Sequence, residues 1–168
     1  VGDLVALTRD DHLQRQPERL DMSEVVEAAL ARAARRGPGI TFHTSLEPVP
    51  ILGDASTLER AITNLLDNAV KFSPSDGEIW VELTSAGVLT IVDSGPGIAE
   101  EDLPHIFDRF YRSDRARNTP GTGLGLAIVT HTVEAHGGSV RAGNQQGAGA
   151  KFTMRLPVLS VPESPLSP

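Results

Sequence analysis

At 168 residues, 39% hydrophobic and 22% charged, the chain is long enough to bury a substantial core and falls within the usual size of one domain. A formal net charge of -7 and a pI near 5.2 argue against nucleic acid or an anionic membrane as main partner, because neither field would attract it. The lack of cysteine excludes a disulfide framework and thiolate metal sites, and no apolar run approaches the roughly 20 residues of a membrane span.

Leu4, Val5, Leu7 and Leu13 sketch a short helical stretch that ends near Gln16-Pro17 and finds no partner in the chain, as the stub of a longer helix would. Asp21 with Glu24 is a capping-box-like start, and Met22, Val25, Val26, Ala29, Leu30 and Ala33 form an apolar stripe that Gly37-Pro38-Gly39 stops. Ile40 to Leu46 and Val49 to Leu52 alternate like strands. From Ala55 to Phe72, Leu58, Ala61, Ile62, Leu65, Ala69 and Phe72 recur at helical spacing, while Arg60, Asn64, Asn68 and Lys71 line a different face. Glu78 to Thr84 and Val88 to Val92 read as an antiparallel pair joined at Ala86-Gly87. A short helix around Leu103 to Phe107, a polar loop from Ser113 to Thr122, a helix from Gly123 to about His136, and strands near Val140 and from Lys151 to Leu156 complete the domain. From Val158 the composition is that of a disordered tail. Helices and strands mix without regular βαβ alternation, which predicts an α+β two-layer sandwich.

Four segments in fixed order carry the chemistry. In Asn64-Leu65-Leu66-Asp67-Asn68-Ala69-Val70-Lys71-Phe72 the two asparagines stand four apart, so both amides leave one helix face with Lys71 a turn further on. Amide oxygens are hard ligands that add no negative charge beside a polyphosphate, and magnesium needs only one or two of them besides water and phosphate. Lys71 can pair with a phosphate. The same residues also suit the solvated side of an amphipathic helix. In Asp93-Ser94-Gly95-Pro96-Gly97 a carboxylate leaves a strand end into space cleared by glycines. It accepts hydrogen bonds only, so it receives the exocyclic amine of adenine and repels the carbonyl of guanine; an Asx-turn is the alternative reading. Gly121-Thr122-Gly123-Leu124-Gly125-Leu126 opens a helix, placing free backbone N–H groups and a positive dipole end beside a loop without side chains, where phosphate fits. It is neither a Walker A loop nor a dinucleotide fingerprint. Gly147-Ala148-Gly149-Ala150-Lys151-Phe152 closes the series, and together the four read as a site for Mg-ATP.

In this order, residues 54–157 resemble the N, G1, F and G2 boxes and the final Gly-x-Gly-x-x-Phe turn of the catalytic domain of bacterial sensor histidine kinases, in the GHKL superfamily. The resemblance implies a Bergerat fold: a mixed, mostly antiparallel sheet packed on three helices, with an ATP lid. It implies that Asn68 is the main magnesium ligand with Asn64 its helper, that Lys71 contacts phosphate, and that Phe72 lies against the adenine that Asp93 reads. Gly95, Gly97 and Ile98 border the base, and Gly121, Thr122, Gly123, Leu124, Gly125 and Leu126 line the phosphates. Phe107-Asp108-Arg109-Phe110-Tyr111-Arg112 matches the F box, with Phe107 and Phe110 at the root of the lid, Arg109 beside the nucleotide and Arg112 in the position of a lid arginine. Arg109, Arg112, Arg115 and Arg117 read by themselves as a solvated charged loop; beside a triphosphate they read as charge neutralisation, with Arg112 the candidate at the γ-phosphate.

Superfamily members that hydrolyse ATP carry Glu four residues before the magnesium asparagine, whereas this chain has Asn64, and an amide has no useful basicity near neutral pH. Another nucleophile is required. In sensor kinases it is a histidine on a dimerising hairpin, in a context that none of His12, His43, His105, His131 or His136 has; His131, near an apolar stripe, and His136, beside Gly137-Gly138, read as structural. The expected organisation is the end of the dimerisation hairpin and linker over 1–16, the catalytic ATP-binding domain over 17–157 and a disordered tail over 158–168. The piece is expected to be cut from a longer protein, to lie in the cytoplasm as a monomer, and to belong to a homodimeric parent in the cell membrane. Its expected partners are its own dimerisation and phosphoacceptor domain and a response regulator. The rival readings are a non-catalytic nucleotide-binding regulatory module and a serine kinase of the anti-sigma type.

Overall fold

The computed structural model describes residues 16–109, 111 and 125–160. The opening helical stretch, Phe110, Arg112 to Leu124 and the tail beyond residue 160 lie outside the described residues. Strand β1 (Glu18–Asp21) leads into helix α1 (Met22–Arg36), followed by β2 (Thr41–Leu46), β3 (Pro50–Gly53) and helix α2 (Ala55–Phe72). Next come β4 (Glu78–Leu83), β5 (Val88–Val92), helix α3 (Gly125–Ala135), β6 (Ser139–Asn144) and β7 (Ala150–Arg155).

Five strands make one sheet in the order β2-β4-β5-β7-β6. Only β2 and β4 run parallel; the other three pairs are antiparallel. Residues two apart share a sheet face, so the alternation in the strands sorts them into rows. One row runs Leu46, Leu83, Leu89, Met154, Val140, and the next Thr44, Val81, Ile91, Phe152, Ala142. The central members of both rows are buried, and they meet Leu58, Ile62, Leu65 and Ala69 of α2 and Val129 and Val133 of α3 in a single core. Helix α2 packs against both α1 and α3. The α+β, two-layer arrangement expected from the sequence is therefore present, with a mixed and mostly antiparallel sheet and three helices among the described residues.

Three details differ from the sequence reading. Strand β1 was not foreseen, because four residues of which two are charged and exposed give no apolar pattern. It pairs antiparallel with β3, so the second expected strand joins a separate two-stranded sheet. The expected helix around Leu103 to Phe107 is a chain of turns. Asp102, His105 and Asp108 each donate a backbone N–H to the carbonyl three residues earlier, and Pro104 has no N–H with which to continue a helical ladder.

The starts of α1 and α2 are fixed by carboxylates. Asp54 caps α2, accepting from the backbone N–H of Ser56 at 3.0 Å. His136, just past α3, accepts the Asp54 N–H at Nε2 (3.1 Å) while its Nδ1 bonds the Thr132 carbonyl (2.7 Å), so one ring ties the end of α3 to the start of α2. His136 is structural, as expected; His131 is exposed instead of lying along the buried stripe of Val129, Thr132 and Val133. Asp21 caps α1 and reaches further: its Oδ1 accepts from the Ser23 N–H at 3.0 Å, the Ser23 hydroxyl at 2.8 Å and the Val49 N–H at 3.0 Å.

Burial pushes the Asp21 carboxyl up, but the bonds from Val49 and Ser23 outweigh it and hold the group below its ordinary value. A carboxyl with a depressed folded pKa contributes stability above its unfolded pKa and loses it as pH falls through the folded one. Replacing Asp21 by Ala is expected to cost about 1–2 kcal/mol in urea unfolding at neutral pH. The gap between variant and parent is expected to narrow once pH drops below about 4, and a gap that stays constant down to pH 2 would contradict this account.

Candidate nucleotide site

Asp93 follows β5 directly, and it is 1% exposed. Its Oδ1 accepts two backbone N–H groups, from Gly95 at 3.0 Å and from Ala150 at 2.9 Å. The backbone of Asp93 is bonded to the same turn: its N–H donates to the Ala150 carbonyl at 3.0 Å and its carbonyl accepts from Gly149 at 2.9 Å. Oδ2 takes no hydrogen bond from any described residue, which leaves one carboxylate oxygen for a ligand. Burial pushes the carboxyl above its ordinary value, and the N–H bonds from Gly95 and Ala150 pull it only part of the way back.

The glycines around it are there for space. A Cβ on Gly149 would collide with Oδ1 of Asp93, and one on Gly95 with the carbonyl of Phe72 at the end of α2. Gly97 has φ +83, and its missing Cβ would stand 2.8 Å from Oδ1 of Asn144. Ile98 is held by that same amide, donating its N–H to Oδ1 at 2.7 Å and accepting from Nδ2 at 2.8 Å. Two serines tie the loop to its surroundings. The Ser94 N–H donates to the Ser73 hydroxyl at the end of α2 (3.2 Å), and the Ser94 hydroxyl accepts from Glu78 (2.9 Å).

Helix α2 carries the asparagine row. Asn64 and Asn68 are half-buried, and Nδ2 of Asn64 makes a long bond of 3.4 Å to the carbonyl of Gly125, the first residue of α3. The structure thus brings the asparagine row to the end of the 121–126 motif, of which Gly125 and Leu126 are described and Gly121, Thr122, Gly123 and Leu124 are not. Leu126 packs on the core. With Nδ2 on a carbonyl, the amide oxygen of Asn64 is available to a cation, so the chemistry of the donor set suits magnesium beside phosphate. Among the described residues no cluster of three His, Cys, Asp or Glu offers a rival metal site. Lys71 is exposed, with Nζ 5.5 Å from the centroid of the Phe72 ring. Phe107 packs edge-on against Phe152 at 6.1 Å, which anchors the F-box segment on the core. Arg109 is exposed, and Arg112 lies outside the described residues.

Four residues of this constellation escaped the sequence reading: Ser73, Ser94, Asn144 and the individual role of Gly149. Gly149 was legible as part of a Gly-x-Gly turn, but nothing local shows that the turn folds onto a carboxylate 56 positions earlier. Asn144 sits in a polar turn sequence, Gly143-Asn144-Gln145-Gln146-Gly147, in which any polar residue is ordinary.

A buried carboxylate with one oxygen spare, an amide row bonded to the first residue of α3 and an aromatic segment anchored on the core are the frame of a nucleotide-binding domain. The profile of the histidine kinase-, DNA gyrase B- and HSP90-like ATPases matches residues 53–160. The chain belongs to this family and is a catalytic ATP-binding domain of the sensor histidine kinase type. It is similar to the signal transduction histidine-protein kinase/phosphatase MprB of Mycolicibacterium paratuberculosis, 45% identical over 96% of this chain and 33% of that protein. The chain thus spans about a third of the curated relatives it matches. Among solved structures it resembles the mycobacterial sensor histidine kinase MprB, with TM-score 0.79 and 40% identity over 86% of this chain and 100% of that one. It also resembles full-length ShkA in complex with AMPPNP, with TM-score 0.73 and 28% identity over 86% of this chain and 32% of that one.

An isosteric amide at position 93 separates stability from recognition. Asp93→Asn keeps the acceptor for Gly95 and Ala150, removes a buried charge and turns an NH2 group toward the ligand side. Unfolding at pH 7 is expected to be no easier than for the parent chain, while calorimetric ATP affinity falls by roughly tenfold or more. Unchanged affinity would overturn the part given to this carboxylate.

Proposed function

We propose that this chain binds Mg-ATP between α2, α3 and the loop after β5, and donates the γ-phosphoryl group to a histidine on a separate dimerisation domain of its parent. The phosphoryl group is then relayed to an aspartate of a response regulator. The observation that carries this reading is Asp93, a buried carboxylate with one oxygen pinned by backbone N–H groups and the other left for an adenine amine. Gly95, Gly97 and Ile98 flank the base, and Phe72 covers it. Asn68, helped by Asn64, offers amide oxygens to the magnesium ion, and Lys71, Arg109 and Arg112 supply positive charge along the phosphates. Gly121 to Leu126 give the phosphates a backbone lined with N–H donors.

Bound Mg-ATP supplies an activated γ-phosphoryl group whose bond to the bridging oxygen breaks as a bond to the histidine nitrogen forms, with ADP leaving. The chain's own residues position and neutralise; none acts as a base toward water, because Asn64 stands where a hydrolytic enzyme has a carboxylate. Residues 17–157 are assigned to this catalytic domain, with 1–16 as the end of the hairpin and linker. The parent is assigned to the cell membrane; among the described residues of this chain no helix is long and apolar enough to cross one.

Incubated alone with radiolabelled ATP and magnesium, the chain is expected to acquire no acid-labile phosphate. Adding the parent's dimerisation domain in trans is expected to put label on its histidine, and Asn68→Ala to reduce that label at least tenfold. Nucleotide binding without any transfer to the histidine would favour the purely regulatory module.

A further inference from the structure

Asn144 is exposed at the end of β6 and lies 46 positions from the segment that follows Asp93, yet it makes the two bonds that fix where that segment ends. Its Oδ1 takes the Ile98 N–H at 2.7 Å and its Nδ2 donates to the Ile98 carbonyl at 2.8 Å, so a side-chain amide pairs with a backbone as a neighbouring strand would. Its partner across the β6–β7 ladder is Ala150. The backbone N–H of Ala150 is one of the two that pin Asp93. One cross-strand pair therefore holds both ends of the 93–98 segment: Ala150 at the carboxylate and Asn144 at Ile98. The turn between them is closed by its own bonds, Gln145 N–H to the Gly149 carbonyl at 2.9 Å and Ala148 N–H to the Gln145 carbonyl at 3.0 Å, so the two grips move together. Gly97, with φ +83 and no Cβ, lets the amide lie flat against the segment.

We infer that Asn144 is a positioning residue for adenine recognition, setting Ile98 and Gly97 at a fixed distance from the Asp93 carboxylate through the β6–β7 hairpin. The inference rests on the adenine-nucleotide reading given above. Because the amide is exposed, its two bonds add little to overall stability; what they fix is the spacing between the acid that reads the base and the wall beside it.

The test compares Asn144→Ala, Asn144→Asp and, as a neighbour in the same turn, Gln145→Ala, all in the full 168-residue chain. ATP and GTP affinities are measured by calorimetry with magnesium, and exchange of the Ile98 amide by NMR without nucleotide. Asn144→Ala is expected to weaken ATP binding roughly five- to tenfold, to narrow the preference for ATP over GTP and to deprotect the Ile98 amide, with melting near that of the parent chain. Asn144→Asp keeps the acceptor and loses the donor, so an intermediate loss is expected; this variant carries the test if the alanine does not fold. Gln145→Ala is expected to change nothing. ATP affinity within twofold of the parent in both Asn144 variants would overturn the inference, as would an equal loss in Gln145→Ala. If the parent chain itself fails to bind ATP, the nucleotide reading falls, and Ile98 exchange still reports whether the clasp exists.

Discussion

The arrangement depends on one costly choice, a carboxylate buried beneath the end of a central strand. Removing an ionised carboxylate from water is strongly unfavourable unless donors replace the water. Among the described residues only two backbone N–H groups are aimed at Asp93, both at the same oxygen, and the group's pKa stays raised. The second oxygen is left without a donor among the described residues. A protein optimised for stability alone would put a neutral side chain here.

Much of the surrounding structure follows from holding that carboxylate still. The N–H of Ala150 reaches it only if the β6–β7 turn lies flat on the strand end, and this in turn requires the position before Ala150 to lack a side chain. The β5–β7 ladder, with Val92 opposite Lys151, delivers Asp93 to the start of β7. On the other side, Ser73 and the Phe72 carbonyl bring the end of α2 against the same loop. Asp93 and the helix with the amide row are thereby parts of one bonded unit, although 25 positions separate Asn68 from Asp93. A second polar seam, between α1 and α2, is less complete: Asp67 pairs with Arg36, yet Oδ1 of Asp67 and Oγ1 of Thr63 are buried without a partner among the described residues. Burial raises the Asp67 carboxyl, with the Arg36 charge opposing it.

The sequence showed the large elements because each has a period. Eighteen residues of α2 repeat their apolar positions at three and four, and in β4 Ile79, Val81 and Leu83 stand two apart on the buried face. Glycine motifs with Asp93 and the asparagine row were legible because their spacing is local. The grips on those motifs were not. Asn144, Ser73 and Ser94 act through side-chain to backbone bonds with distant segments, and no short-range pattern distinguishes such a residue from an ordinary turn or cap residue. Strand β1 went unseen for a related reason, since its pairing with β3 is fixed by Asp21 bonding Val49, a contact between residues 28 positions apart. The segment around Leu103 to Phe107, expected as a short helix, forms turns instead, and the missing N–H of Pro104 is the local signal against a helix there.

The same logic bears on why position 64 is an amide. Its Nδ2 faces the Gly125 carbonyl, which can only accept, so the residue there must donate. A glutamate would set a carboxylate against that carbonyl and push the start of α3 away from α2. Asparagine donates to the helix start with one atom of its amide and keeps the other for a cation. In this chain, then, the amide at position 64 brings no base and at the same time bonds the helix of the amide row to Gly125, the first residue of α3. A glutamate at this position would have to rebuild that joint, so the identity of residue 64 is coupled to the packing of α2 on α3 and not to one functional group alone.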